Sequence, residues 1–227
     1  MIEASIGPSI EPFGDRAFLV VLGGGINPEV NRQVHALAEV VRTEAAQGIA
    51  WGNPVPSYEA VVVPFDPLEL APEDARTRLT RLLAAARAET TVAPPTIPAV
   101  EIPTRYGGEF GPDLPDVARR LGLTEEGVVA AHSGRDYLVY MMGFTPGYAY
   151  LGILPESLEL PRRDVPRVRV AAGSVGIAGR QTGVYPTESP GGWQVIGRTD
   201  LVLWDPDREP PCLLEPGRLV RFVEITD

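Results

Sequence analysis

The chain has no lysine. All twenty of its basic residues are arginine, set against thirty acidic ones, for a formal net charge of -10 over 227 residues. Without lysine there is no Schiff-base nucleophile, no attachment point for biotin and no phosphate-binding loop of the G-x-x-x-x-G-K type. A nucleotide handled by this protein is held without that loop or with help from another chain. The acidic surplus opposes general binding to phosphate backbones, so no nucleic-acid partner is expected. Arginine-only usage is also what a GC-rich genome produces, and by itself it assigns no function.

Cysteine and histidine are nearly as scarce. Cys212 has no second cysteine to pair with, and His35 and His132 stand far apart in sequence. No Cys-rich zinc pattern can be composed from them, and no metal is predicted. No apolar run approaches the roughly 18 residues that span a bilayer. The opening MIEASIGPSIEPFGDR lacks the basic-then-apolar order of a secretory signal. A cytoplasmic protein with no membrane partner is expected.

Glycine and proline are plentiful, 24 of each, within an apolar content of 44% that suffices for a core. GDRAFLVVLG (14–23) reads as a strand with Phe18, Val20 and Leu22 on one face. Asn27-Pro28-Glu29 is a helix start, and Val30, Val34, Leu37, Ala38 and Val41 follow at helical spacing. SYEAVVVPFDP (57–67) reads as a second strand. Pro72-Glu73-Asp74 opens a second helix with an Ala75, Leu79, Leu82, Leu83, Ala86 stripe. Strand, helix, strand, helix predicts a small α+β domain over residues 1–90, with helices on one face of a sheet. Residues 91–99 are proline-rich and uncharged, the composition of an extended linker.

Residues 100–227 have another texture. A strand near Val100–Tyr106 and two short helices, one starting at Asp113-Leu114-Pro115-Asp116 and one at Thr124, come first. After Arg135, short β-rich runs (DYLVYMMGF, RVRVAAGSVGIAG, GWQVIGRTDLVLW, RLVRFVEI) alternate with glycine and proline, as in an all-β barrel or sandwich.

Candidate chemistry concentrates in this second part. Between Pro161 and Pro186 lie Arg162, Arg163, Arg167, Arg169 and Arg180, with Asp164 the one acid in that window, a local surplus of four positive charges. Arginine forks suit carboxylate or phosphate, and the same spacing also fits one solvated strand face. The glycines of AAGSVGIAGRQTG, with Ser174, Gln181 and Thr182 among them, serve either a backbone cradle for an anion or tight barrel turns. They are not G-x-G-x-x-G. His132 is either a general base or a histidine set against a helix C-terminus. Asp136, Tyr137, Tyr140, Tyr148, Tyr150 and Tyr185 line a pocket or pack. Trp193, after a Gly-Gly turn, suits a core or a partner surface.

The motifs GGEFGPDL, YMMGFTPGYAYLG, PRRDVPRVRVAAGSVGIAGRQTGVYP and ESPGGWQVIGRT, in this order, resemble the KipI family, which takes in allophanate hydrolase subunit 1 and the B subunit of 5-oxoprolinase. The tail DPDREPPCLLEPGRLVRFVEI fits as well. The resemblance implies a mainly-β, cyclophilin-like barrel behind an α+β N-terminal domain. It implies a cleft whose wall carries Phe144, Pro146, Tyr150 and Trp193, with Tyr148, Arg163, Arg167, Ser174, Arg180, Gln181 and Thr182 near a ligand. It further implies work with partners. One is a homologous cyclophilin-like protein, of the kind called allophanate hydrolase subunit 2 or the C subunit of 5-oxoprolinase. The other is a TIM-barrel-like protein, of the kind called the A subunit of 5-oxoprolinase.

The expected activity is the ATP-dependent opening of 5-oxo-L-proline to L-glutamate, with ATP shared with the partner subunits and this chain inert alone. An unactivated lactam carbonyl is a poor electrophile, and an arginine-lined cleft suits an anionic substrate. Two other functions compete: inhibition of a sensor histidine kinase by binding, and a carboxyltransferase component of a urea carboxylase or allophanate hydrolase-type system. The latter would need a biotin carrier on another chain.

Overall fold

Strand β1 (Ser9–Pro12) pairs antiparallel with β2 (Ala17–Val21), followed by helix α1 (Pro28–Ala46), β3 (Val55–Pro56), β4 (Ala60–Pro64) and α2 (Pro72–Glu89). The sheet order is β1-β2-β4-β3, antiparallel throughout. Register sets Phe18 opposite Val63 and Val20 opposite Val61, and all four are buried with Val34, Leu37 and Val41 of α1 and Ala75 and Leu79 of α2. The α1 entry follows its sequence signal: Asn27 Oδ1 accepts from the Glu29 amide at 2.8 Å, and Pro28 is the first helical residue. Strands β1 and β3 go beyond the sequence reading. Each ends in proline and sits at a sheet edge, where a missing N–H costs no ladder bond.

This computed structural model describes residues 8–89 and 98–226, and the chain divides into two units, residues 1–96 and 97–227. The expected linker at 91–99 lies, through residue 97, outside the described residues.

In the second unit, β5 (Val100–Tyr106) leads to α3 (Leu114–Leu121) and α4 (Glu125–Ser133). The remaining strands are β6 (Asp136–Met142), β7 (Ala149–Gly152), β8 (Arg167–Val170), β9 (Ser174–Ala178), β10 (Gln181–Val184), β11 (Ser189–Gly191), β12 (Gln194–Arg198) and β13 (Leu219–Glu224). Seven of them close a cyclophilin-like barrel in the order β10-β7-β6-β13-β5-β12-β9, so no strand of it keeps an open edge. One pairing, β13 with β5, is parallel. The RVRVAAGSVGIAG run is two strands, not one. It breaks at Gly173, whose φ of 79° suits glycine and where a Cβ would collide with the Thr199 carbonyl.

The barrel interior packs Ile102, Val139, Leu151, Ile177, Ile196 and Phe222 into one cluster with residues of α3 and α4. A second, smaller cluster joins Tyr148, Val170, Ala178, Tyr185, Trp193 and Val195. Tyr150 packs against it and alternates along β7 with the interior-facing Ala149 and Leu151, so this cluster lies on the outer side of the barrel wall. The β8–β11 ribbon supplies Val170 to it.

Candidate functional site

The outer cluster opens into a cleft of about 100 Å³. Its walls are rings, and Tyr148 is their centre. Tyr148 meets Phe144 at 5.4 Å, Tyr150 at 5.0 Å, Tyr185 at 5.4 Å and Trp193 at 6.0 Å between centroids, each edge to face. Pro190, Gly191 and Gly192 line the cleft ahead of Trp193. A Cβ on Gly191 would collide with the Tyr185 hydroxyl, so glycine is required there. Burial raises the Tyr185 pKa; the nearby Trp193 backbone amide and the charges of Arg162 and Arg167 oppose the rise. Tyr185 is therefore a neutral phenol at physiological pH.

Phe144 stands at the mouth, 59% exposed, with φ of 68°, the one described non-glycine residue in the left-handed region. Arg162 lines the same cleft and, among the described residues, has no ion-pair partner.

The neighbouring arginines are committed elsewhere. Asp113, its side chain 7% exposed, accepts from Arg163 Nη1 at 2.8 Å, from both Nη atoms of Arg167 at 2.7 Å and from the Val195 amide at 2.6 Å. The fork-to-fork bond with Asp113 raises the Arg167 pKa, outweighing its partial burial. Arg169 pairs with Glu188 at 2.8 Å; Arg180 lies 3.9 Å from Glu159 and 3.4 Å from the Leu154 carbonyl. The surplus of four charges counted along the sequence is thus offset in space by acids that include Asp113 and Glu159 from outside that window.

The residues expected near one ligand fall into separate places. Phe144, Tyr148, Tyr150 and Trp193 come together in the aromatic cleft. Arg167 and Ser174 line a different cleft of about 140 Å³ with Glu109, Arg169 and Arg198. Arg163 is held against Asp113. Arg180 and Gln181 stand at the start of β10 and Tyr185 just past its end, about 13–16 Å apart at a rise of about 3.3 Å per residue. Pro146 and Phe144 border a shallow depression that includes Cys212.

Thr182 and His132 lie inside the barrel, both fully buried. Thr182 Oγ1 donates to the Gly176 carbonyl at 3.1 Å, so it accepts from His132 Nε2–H at 2.8 Å, and His132 Nδ1 accepts from the Tyr106 hydroxyl at 2.7 Å. Burial depresses the His132 pKa to about 3. This is a neutral interior imidazole with both nitrogens bonded, tying α4 to β5 and β10, and not a base facing a ligand. Among the described residues no three His, Cys, Asp or Glu side chains converge as a metal site would.

Sequence reasoning missed Asp113, read only as a helix start, and did not separate Arg162 from its neighbours. Tyr185, read with the other tyrosines as lining a pocket or packing, lines the cleft, and Gly191 carried only a faint signal, a glycine in the turn before Trp193.

An α+β unit followed by a cyclophilin-like barrel defines the structural class. Residues 8–214 match the family described as the carboxyltransferase domain, subdomain C and D. A Bacillus subtilis (strain 168) protein, named as the B subunit of 5-oxoprolinase, is 39% identical over 232 residues, covering 96% of this chain and 93% of that protein. The crystal structure of TTHA0988 superposes with a TM-score of 0.78 at 42% identity, over 93% of this chain; this chain spans only 40% of that one. The Kluyveromyces lactis urea amidolyase shares the fold, with a TM-score of 0.72 at 18% identity over 96% of this chain and 15% of that one. The chain belongs to the carboxyltransferase-domain subdomain C and D family, in the group that includes KipI and the 5-oxoprolinase B subunits.

Proposed function

We propose that this chain is one component of an ATP-dependent 5-oxoprolinase that converts 5-oxo-L-proline to L-glutamate. The observation that carries this reading is the near-full-length match, at 39% identity, to a protein named as the B subunit of that enzyme. Water is added across the lactam C–N bond, while hydrolysis of ATP to ADP and phosphate supplies the activation the amide needs.

Neither cleft beside the arginines fits ATP. At about 100 Å³ and about 140 Å³, both are well below the ~300 Å³ at the small end of pockets for drug-sized ligands, and ATP is of that size or larger. The forks of Arg163 and Arg167 are already bonded to Asp113. We assign ATP to the partner subunits, a homologous cyclophilin-like barrel and a TIM-barrel-like protein, and expect this chain to be inert alone. That TTHA0988 extends well beyond the matched region accords with a barrel that works beside other domains. No described helix is long and apolar enough to cross a membrane, in keeping with a cytoplasmic enzyme.

The test is glutamate release from 5-oxo-L-proline and ATP by the tagged protein purified with its bound partners. Release that disappears when the partners are stripped away and returns on their re-addition supports the proposal; no release with the partners present refutes it. The family's carboxyltransferase name favours a second reading, carboxyl transfer. It requires a biotin carrier on another chain, since this one has no lysine; an avidin-reactive protein in the complex would support it. Kinase inhibition would instead give a stable complex with a histidine kinase and no ATP-dependent turnover of lactam.

A further inference from the structure

We propose that the aromatic cleft binds a small, flat monocarboxylate, with Arg162 gripping the carboxylate and Phe144 covering the ring; on the 5-oxoprolinase reading, on which the ligand's identity rests, it is 5-oxo-L-proline.

Size, wall chemistry and charge each narrow the ligand. About 100 Å³ is the share of liquid volume of roughly three waters, room for one small ring and too little for a nucleotide or a peptide. Rings set edge to face around Tyr148 offer flat apolar surfaces to a planar amide. Of the five arginines between Pro161 and Pro186, Arg162 alone keeps its charge unpaired among the described residues, and it points the preference to an anion. Tyr185, a neutral phenol on the cleft wall, can donate its own proton to a ligand carbonyl.

Phe144 supplies an independent observation. A phenylalanine at φ 68° with most of its ring in water gains little for itself from that conformation. The conformation keeps the ring edge-on to Tyr148 at the mouth, where a bound ring would cover it. The loop that holds it, residues 143–148, joins β6 to β7.

The same chemistry separates substrate from product. Opening the lactam creates an ammonium and a second carboxylate. The aromatic walls leave the second carboxylate unsolvated, and Arg162 repels the ammonium. Glutamate is therefore bound more weakly than 5-oxo-L-proline, and ring opening itself drives release.

The test titrates 5-oxo-L-proline, its carboxamide and glutamate into the full chain, alone and in the complex, by calorimetry, with steady-state glutamate release measured on the same complex. Arg162→Gln should weaken 5-oxo-L-proline binding and raise KM by about 10- to 100-fold, the worth of a charge-assisted hydrogen bond, with kcat changed far less. The carboxamide should bind wild type and Arg162→Gln alike. Arg169→Gln, outside the cleft, should change neither. Phe144→Gly should raise KM several-fold without lowering the melting temperature, because it releases the backbone strain.

Turnover by the complex with KM untouched in Arg162→Gln overturns the cleft assignment and leaves the 5-oxoprolinase reading standing. Saturable, Arg162-dependent binding without turnover overturns that reading and supports the cleft as a carboxylate site. No saturable binding to either the chain or the complex overturns the cleft assignment outright.

Discussion

Replacing His132 by glutamine should remove the part of the barrel's acid sensitivity between pH 7 and pH 5 that its buried imidazole causes. The imidazole is fully buried, bonded at both nitrogens and packed 4.4 Å from the Phe222 ring. Burial lowers its pKa from 6.5 to about 3 in the folded protein. Between those values the unfolded chain binds a proton that the folded barrel refuses. The folded state is therefore favoured fully above pH 6.5 and loses that advantage as pH falls toward 3, at up to about 1.4 kcal/mol per pH unit. From pH 7 to pH 5 the His132 contribution to this loss is about 2 kcal/mol. Glutamine lowers stability at every pH, since the contact with Phe222 goes, but it carries no titrating group. The assay is urea unfolding at pH 7 and pH 5, following the near-UV circular dichroism of the barrel tyrosines. The carboxylates, common to both proteins, cancel in the difference. Wild type should lose about 2 kcal/mol more than His132→Gln between the two pH values. Equal losses would refute the account of His132 as an interior neutral group.

Four further substitutions, one of them a control, check other joints of the structure. Asp113→Asn leaves Arg163 and Arg167 facing each other without their shared counter-charge and should cost about 3 kcal/mol in urea unfolding. Gly191→Ala drives a methyl group toward the Tyr185 hydroxyl and should cost about 1–3 kcal/mol, whereas Gly192→Ala, whose nearest neighbour would be 3.7 Å away, should stay within about 0.5 kcal/mol; thermal melts of the pair decide it. Asn27→Ala removes the cap of α1 and should cost about 1 kcal/mol, read from the urea midpoint of the first unit's transition.

What is legible in the sequence is whatever is encoded between near neighbours. The start of α1 needs only Asn27, Pro28 and a stripe at helical spacing, and the structure begins that helix at Pro28. Thr124 caps α4 through its hydroxyl to the Gly127 amide, another short-range signal. The two-residue β3 carries no alternation to detect, and its existence depends on β4 beside it. The site is legible as a stretch and not as a geometry. Which arginines are free depends on Asp113, which is 50 positions from Arg163 and 54 from Arg167. No short window along the chain contains that pairing, so Arg163 and Arg167 look available and Arg162 does not stand out. Thr182 looks like a ligand group because a threonine beside Gly183 and Gln181 is polar; strand alternation turns it inward, onto His132.

The parallel pairing of β5 with β13 also governs how the barrel is made. On the ribosome β5 is complete at residue 106, but its two neighbours, β12 and β13, begin at residues 194 and 219. At typical elongation rates the first barrel strand waits on the order of 5–20 s before either partner emerges. Throughout that interval both its edges are bare, and the barrel has no seam to close. Closure of this barrel is thus deferred until residues 219–224 have emerged, which makes the nascent chain a natural client for chaperones. Truncations within the last strand should trap an open, self-associating sheet in place of a merely less stable barrel.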